Sequence, residues 1–173
     1  MATTTKPPKK LTSASKAAAG KATDAITLLK ADHAEVKKCF VAYQKLVDAD
    51  ADSAERQEMA QQICMLLTVH ATIEEEIFYP AAREVLGEEA DLVDEADVEH
   101  ATAKDLIAQI EDSSPDDAHY DAKVKVLGEY IDHHVKEEQD ELFPKAKKAG
   151  LDTAAVGEEL AARKQELMAE EMV

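Results

Sequence analysis

The phrase His-x-x-x-Glu-x-x-x-x-x-Pro occurs twice, as His70, Glu74 and Pro80 and again as His134, Glu138 and Pro144. Each copy is preceded by a further histidine behind an acid, Asp32-His33 and Glu99-His100. Imidazole nitrogens and carboxylate oxygens together suit iron, manganese or zinc. Residues four apart on a helix lie one above the other on one face, so His70 with Glu74, and His134 with Glu138, can reach a common point. The four histidines and two glutamates are therefore candidate metal ligands.

Such ligands need helices to carry them. The 173 residues include five Gly, five Pro and no Trp, with 4% aromatic residues, and Ala, Glu, Lys, Leu and Val dominate. Runs of β-branched or aromatic residues bounded by turns hardly occur, so the expected class is all-α. A chain of this length can bury a full core as one domain without disulfides. No stretch approaches the roughly 20 apolar residues that span a bilayer, and the N-terminus lacks the apolar core of a secretory signal. A cytoplasmic protein without membrane contact is expected.

The net charge of -17 makes nucleic acid and other polyanions poor partners. The charge is unevenly spread. Residues 1–23 carry Lys6, Lys9, Lys10, Lys16 and Lys21 and no acid. Their Thr, Ser, Ala, Lys and Pro cannot bury enough surface to offset ordering entropy, so a disordered basic tail is expected. A weak tether to nucleic acid or a membrane surface is the alternative reading. The tail has no arginine, which argues against a mitochondrial presequence.

Apolar residues at threes and fours begin near Asp24. Ile26, Leu29, His33, Val36, Phe40, Tyr43 and Val47 predict a first helix to about Asp48, with His33 in its apolar stripe. The acidic stretch from Asp48 to Ser53 offers caps for a second helix that runs toward Leu86, with Pro80 expected to kink or end it and Gly87 to stop it. A third helix carries Val93, Ala96, His100, Ala103 and Ile107 and ends before Ser113-Ser114-Pro115. The fourth runs from near Asp117 to Gly150, and a fifth, from about Thr153 to Ala169, reads as an accessory C-terminal helix.

Counting tests whether the ligands meet. In an up-down bundle, residues at equal counts on either side of a turn lie at one height, because every helix rises about 1.5 Å per residue. The midpoint of His33 and His70 falls between residues 51 and 52, that of His70 and His100 at 85, and that of His100 and His134 at 117. All three lie at or beside the assigned turns. One histidine from each helix thus reaches a single layer of an antiparallel four-helix bundle, with Glu74 and Glu138 one turn away.

These residues resemble the hemerythrin-like proteins, in particular the bacterial HHE cation-binding domains. The resemblance covers roughly residues 24–150, between the tail of residues 1–23 and the accessory helix of residues 151–173. It implies an up-down four-helix bundle and two iron ions per chain, oxo- or hydroxo-bridged, with manganese or zinc as alternatives. Carried over by motif, His33 and His70 would bind one ion and His100 and His134 the other, with Glu74 and Glu138 bridging.

Two departures shape the expected function. Oxygen-carrying hemerythrins place another histidine one turn after the third-helix ligand, where this chain has Lys104. They also space the last histidine and carboxylate five apart with Asp, whereas His134 and Glu138 are four apart. The ion at His100 and His134 is then short of a ligand and open to exogenous groups. Binding of or reaction with peroxide, oxygen or nitric oxide, in a catalase-like or stress-response role, is favoured over oxygen carriage. If the protein is an enzyme, it is a di-iron peroxide-decomposing oxidoreductase. The alternatives are a sensor or metal-responsive interaction module without turnover, and a structural zinc or metal-free bundle. Tyr130, one turn before His134, either fills the gap or hydrogen-bonds a bound oxygen, or is a core tyrosine.

The flanking polar residues receive quieter expectations. Asp32 and Glu99 either orient the neighbouring His33 and His100 or point away from them. Glu75, Glu76, Glu137 and Glu141 read as a solvated face, with support of the ligands from behind as the alternative, His133 as turned out of the ligand shell and His119 as a surface residue. Cys39 and Cys64 fall at the same height, roughly 9 Å along the axis from the ligands. They read as two packed thiols, with a redox pair as the alternative.

Overall fold

The computed structural model describes residues 23–171, and the basic tail of the sequence reading lies outside them except for Thr23. Helix α1 (Ala25–Asp48) opens on Asp24, whose side chain accepts the Thr27 N–H at 2.9 Å. Helix α2 (53–86) opens on Asp52, which caps the Glu55 N–H in the same way. These acids supply acceptors for N–H groups that lack intrahelical partners. Helix α3 (Asp91–Glu111) and helix α4 (120–148) complete an up-down antiparallel bundle, and α5 (Thr153–Glu171) packs outside it against α1 and α2. No strand occurs among the described residues.

Helix α2 does not end at Pro80. It runs as α-helix from Ser53–Ile73, widens into a π-turn at Glu74–Phe78 and returns to α-helix at Tyr79–Leu86. The Tyr79 N–H bonds the Glu74 carbonyl, five residues back. Helix α4 repeats the arrangement, with a π-turn at Glu138–Leu142 in which the Phe143 N–H bonds the Glu138 carbonyl. In both copies proline follows directly, so its missing N–H falls where the regular ladder is already interrupted. The repeated Glu-x-x-x-x-x-Pro thus writes a π-turn into each helix. Gly87, at φ 57°, then ends α2 in a backbone region that favours glycine.

The core has two apolar layers. One gathers Leu29, Ile73, Phe78, Tyr79, Leu142 and Phe143 with Leu160 of α5. The other gathers Val36, Ile63, Leu67, Ile107, Leu127 and Ile131 with both cysteines. His33, His70, His100 and His134 lie in sequence between residues of the two layers. With Glu74 and Glu138 they make a buried polar slab across the middle of the bundle.

Candidate metal centre

All four histidines and both glutamates of the repeated phrases are buried, Glu74 at 0% and Glu138 at 2% exposure. The ring nitrogens converge in pairs. His33 Nε2 lies 3.0 Å from His70 Nε2, and His100 Nε2 lies 3.1 Å from His134 Nε2. Two nitrogens each about 2.1 Å from a shared ion, at a right angle, would stand about 3.0 Å apart. Glu74 reaches toward both pairs, with Oε1 3.2 Å from His70 Nε2 and Oε2 3.3 Å from His100 Nε2. Glu138 Oε2 lies 3.2 Å from His33 Nε2 and 3.6 Å from His134 Nε2. Two groups with metal-ligand spacing result, His33–His70–Glu74–Glu138 and Glu74–His100–His134, sharing Glu74.

The outer nitrogen of every ring has an oxygen acceptor. His33 Nδ1 faces Gln139 Oε1 at 3.0 Å, His70 Nδ1 faces Asp32 Oδ2 at 3.3 Å, His100 Nδ1 faces Glu75 Oε1 at 3.0 Å, and His134 Nδ1 faces Glu99 Oε2 at 2.6 Å. Such partners place the proton on Nδ1 and turn the Nε2 lone pair inward. Asp32 and Glu99 therefore point away from the histidines beside them in sequence and cross to the candidate ligand of the adjacent helix. Neighbouring residues on a helix point about 100° apart, so an acid beside an inward histidine faces the next helix. Glu75, expected on a solvated face, orients His100 and also accepts from Lys104 Nζ at 2.6 Å.

Four inward Nε2 atoms and two buried carboxylates face one another across the slab. Glu74 Oε1 and Glu138 Oε2 have no hydrogen-bond partner among the described residues, although each is 3.2 Å from a histidine nitrogen. Buried carboxylates in this state are costly unless a cation joins them. The electrostatics point the same way. Burial opposes a charge on His70, yet Glu74 and the bond to Asp32 push its pKa up to about 10. Burial likewise opposes ionisation of Glu74, but His70 and His100 hold its pKa well below the usual carboxylate range. The site attracts positive charge, and the residues present fit metal cations.

The sequence reading passed over Tyr79. Its hydroxyl donates to Glu138 Oε1 at 2.7 Å and lies 3.1 Å from His100 Nε2. Burial first, then the charges of Glu74 and Glu138, raise its pKa well above the ordinary tyrosine value, so it remains a phenol and a donor. Tyr79 stands five residues after Glu74, and the π-turn brings it onto the glutamate's face. The matching residue of copy two, Phe143, stacks on His33 with ring centroids 5.9 Å apart and planes 4° off parallel. Tyr130 packs half-buried against the second apolar layer and makes no hydrogen bond to the six. The contrast between Tyr79 and Phe143 before the two prolines was the available signal.

On the side away from Tyr79, a cavity of about 30 Å³ touches all four histidines. Its walls include Val36, Leu67, Ile107 and Ile131, with Thr68 and Lys104 at its exposed rim. A cavity needs about 10–15 Å³ on this measure to hold one water molecule, so this one admits a small molecule. His133 is turned outward, 3.2 Å from Glu137, and His119 is exposed. Cys39 and Cys64 are free thiols buried in one apolar layer, and burial pushes the Cys64 thiol up to about 12.

The model of the hemerythrin HHE cation-binding domain matches residues 24–146. The crystal structure of a hemerythrin HHE cation-binding domain-containing protein from Mycobacterium kansasii superposes with a TM-score of 0.71, covering 86% of this chain and 90% of that one at 21% identity. A Nostoc protein named DNA nickase is 32% identical over 118 residues, which make up 67% of this chain but 31% of that protein. The chain therefore spans about a third of the length of that relative.

Proposed function

The chain belongs to the family of hemerythrin HHE cation-binding domains, and we propose that its site holds two iron ions that bind or react with peroxide, oxygen or nitric oxide. His33 and His70 would hold one ion and His100 and His134 the other, with Glu74 and Glu138 between them. The observation that carries this reading is the pair of buried, unpartnered oxygens, Glu74 Oε1 and Glu138 Oε2, facing four inward Nε2 atoms. Bound iron would supply Lewis acidity and electron exchange.

The chain's own residues then decide what reaches the site. The cavity is small and walled mainly by apolar side chains, which favours small uncharged molecules over large or charged ones. Lys104 Nζ is drawn to Glu75, so the position one turn after His100 carries no ligand and the cavity stays open. Asp32, Glu75 and Glu99 raise the donor strength of the imidazoles they touch. Tyr79 holds a proton 2.7 Å from Glu138 on the opposite side. A site with these features favours peroxide decomposition over reversible carriage of oxygen.

The name of the Nostoc relative raises a role on DNA, which the net charge of -17 opposes. Metal analysis and an absorption spectrum of aerobically purified protein, followed by oxygen release from added peroxide, test the reading. About two irons per chain with iron charge-transfer bands and oxygen evolution support it. Zinc, or no stoichiometric metal, contradicts it.

A further inference from the structure

Helix α5 lies outside the residues matched to the family, yet its inward stripe changes character at the level of the metal slab. Val156, Gly157 and Leu160 are buried against the bundle, and Leu167 packs on the same apolar layer further along. Between them the stripe presents Arg163 and Lys164. The entry of the helix is tightly seated, because a Cβ on Gly157 would come 1.8 Å from the Thr23 carbonyl oxygen. A helix anchored at that end carries its two bases to fixed places.

Both bases grip acids that adjoin the ligands. Lys164 Nζ lies 2.5 Å from Asp32 Oδ1, while Asp32 Oδ2 accepts from His70 Nδ1. Arg163 makes a two-pronged contact with Glu76, Nε to Oε2 at 2.7 Å and Nη2 to Oε1 at 3.2 Å. Glu76 lies inside the π-turn that begins at Glu74, and Asp32 precedes His33. The Asp32 side chain is only 10% exposed, and Lys164 is the one lysine or arginine paired with it among the described residues. Without Lys164 holding Oδ1, the Asp32 carboxylate would be free to turn toward solvent. His70 Nδ1 would then lose its fixed acceptor.

We propose that α5 is a clamp on the metal site, in which Lys164 positions His70 through Asp32 and Arg163 holds the π-turn through Glu76. Loading of the His33–His70 position and docking of α5 then stabilise one another, since each favours the same arrangement of Asp32 and the π-turn. Lys164 is a positioning residue that touches no ion. The inference rests on the ligand assignment proposed above.

Ferrous iron added anaerobically to the full chain, with hydrogen exchange read along α5, provides the test. In the unaltered protein, loading should slow exchange of the amides between residues 160 and 169. Lys164→Met should weaken one of two binding steps by about ten-fold or more, in the range typical for loss of a ligand's supporting contact. The other step should keep its affinity, the loading-dependent protection should disappear, and Lys164→Arg should restore both. Unchanged helical circular dichroism in the methionine variant separates these effects from misfolding. Two ions bound with unchanged affinities in Lys164→Met, or α5 exchange indifferent to iron in the unaltered chain, would overturn the clamp alone. An unaltered chain that binds no iron would overturn the ligand assignment and the clamp with it.

Discussion

The Tyr79 hydroxyl donates to Glu138 Oε1 at 2.7 Å, tying the π-turn of one repeat to the buried glutamate of the other. The bond leaves Glu138 with one engaged oxygen and one, Oε2, that faces the histidines without a partner. Tyr79→Phe should fold and still bind two ions, because Phe143 shows that the repeat accommodates a phenyl ring there. Leaving Glu138 Oε1 without its donor should cost about 1–3 kcal/mol, read as a lowered midpoint in denaturant. The rate of peroxide decomposition should change while metal content does not. A variant with unchanged stability and unchanged rate would remove Tyr79 from the account.

Glu74 is fully buried and reaches toward both histidine pairs. Glu74→Gln keeps its shape but removes the carboxylate that His70 and His100 stabilise in its charged form. Iron content should fall below one per chain, and the metal-free variant should melt lower than the metal-free parent, since removing one partner of a buried charged pair is destabilising. Thermal melts after chelation check the sign. A higher midpoint for the metal-free variant would mean that His70 does not compensate the buried carboxylate.

In metal-free protein the His70 pKa is raised from its ordinary value of 6.5 to about 10. A raised folded-state value contributes stability that is fully present below about 6.5 and is lost as pH rises through about 10. The metal-free chain should therefore lose stability between those limits. Iron binding near pH 7 must displace the His70 proton, so affinity should rise with pH across the same window. Titration calorimetry in two buffers of different ionisation enthalpy should show proton release, and identical heats in both would contradict it.

Cys39 and Cys64 share an apolar layer, and burial pushes both thiols above their ordinary range, Cys64 to about 12. Thiolates are the reactive form, so these groups should be inert. Intact mass after peroxide exposure, with and without reductant, should show two free thiols in each case. A mass loss of about two hydrogens would restore the redox-pair reading.

The bundle was legible because its candidate ligands recur at one histidine per helix and their midpoints fall on or beside turns, a property that holds for regular α-helices. The same counting failed where the helices are not regular. Tyr79 lies five residues from Glu74, and a period of 3.6 places it on another face; only the π-turn brings it back. Asp32 and Glu99 stand beside His33 and His100 in sequence, but the 100° step along a helix hands each to the next helix, a partner that spacing alone does not name. The role of α5 was hidden in its weak apolar spacing, because Arg163 and Lys164 occupy the stripe where apolar residues would otherwise repeat.

Two irons, open to a small oxidant, would be held by the six buried residues of the repeated phrases. Elemental analysis of aerobically purified protein, joined to oxygen electrode traces after peroxide addition, tests this most directly. About two irons per chain are expected, with oxygen evolution that disappears in Glu74→Gln. Stoichiometric zinc, absence of metal, or oxygen evolution that survives in Glu74→Gln would contradict it.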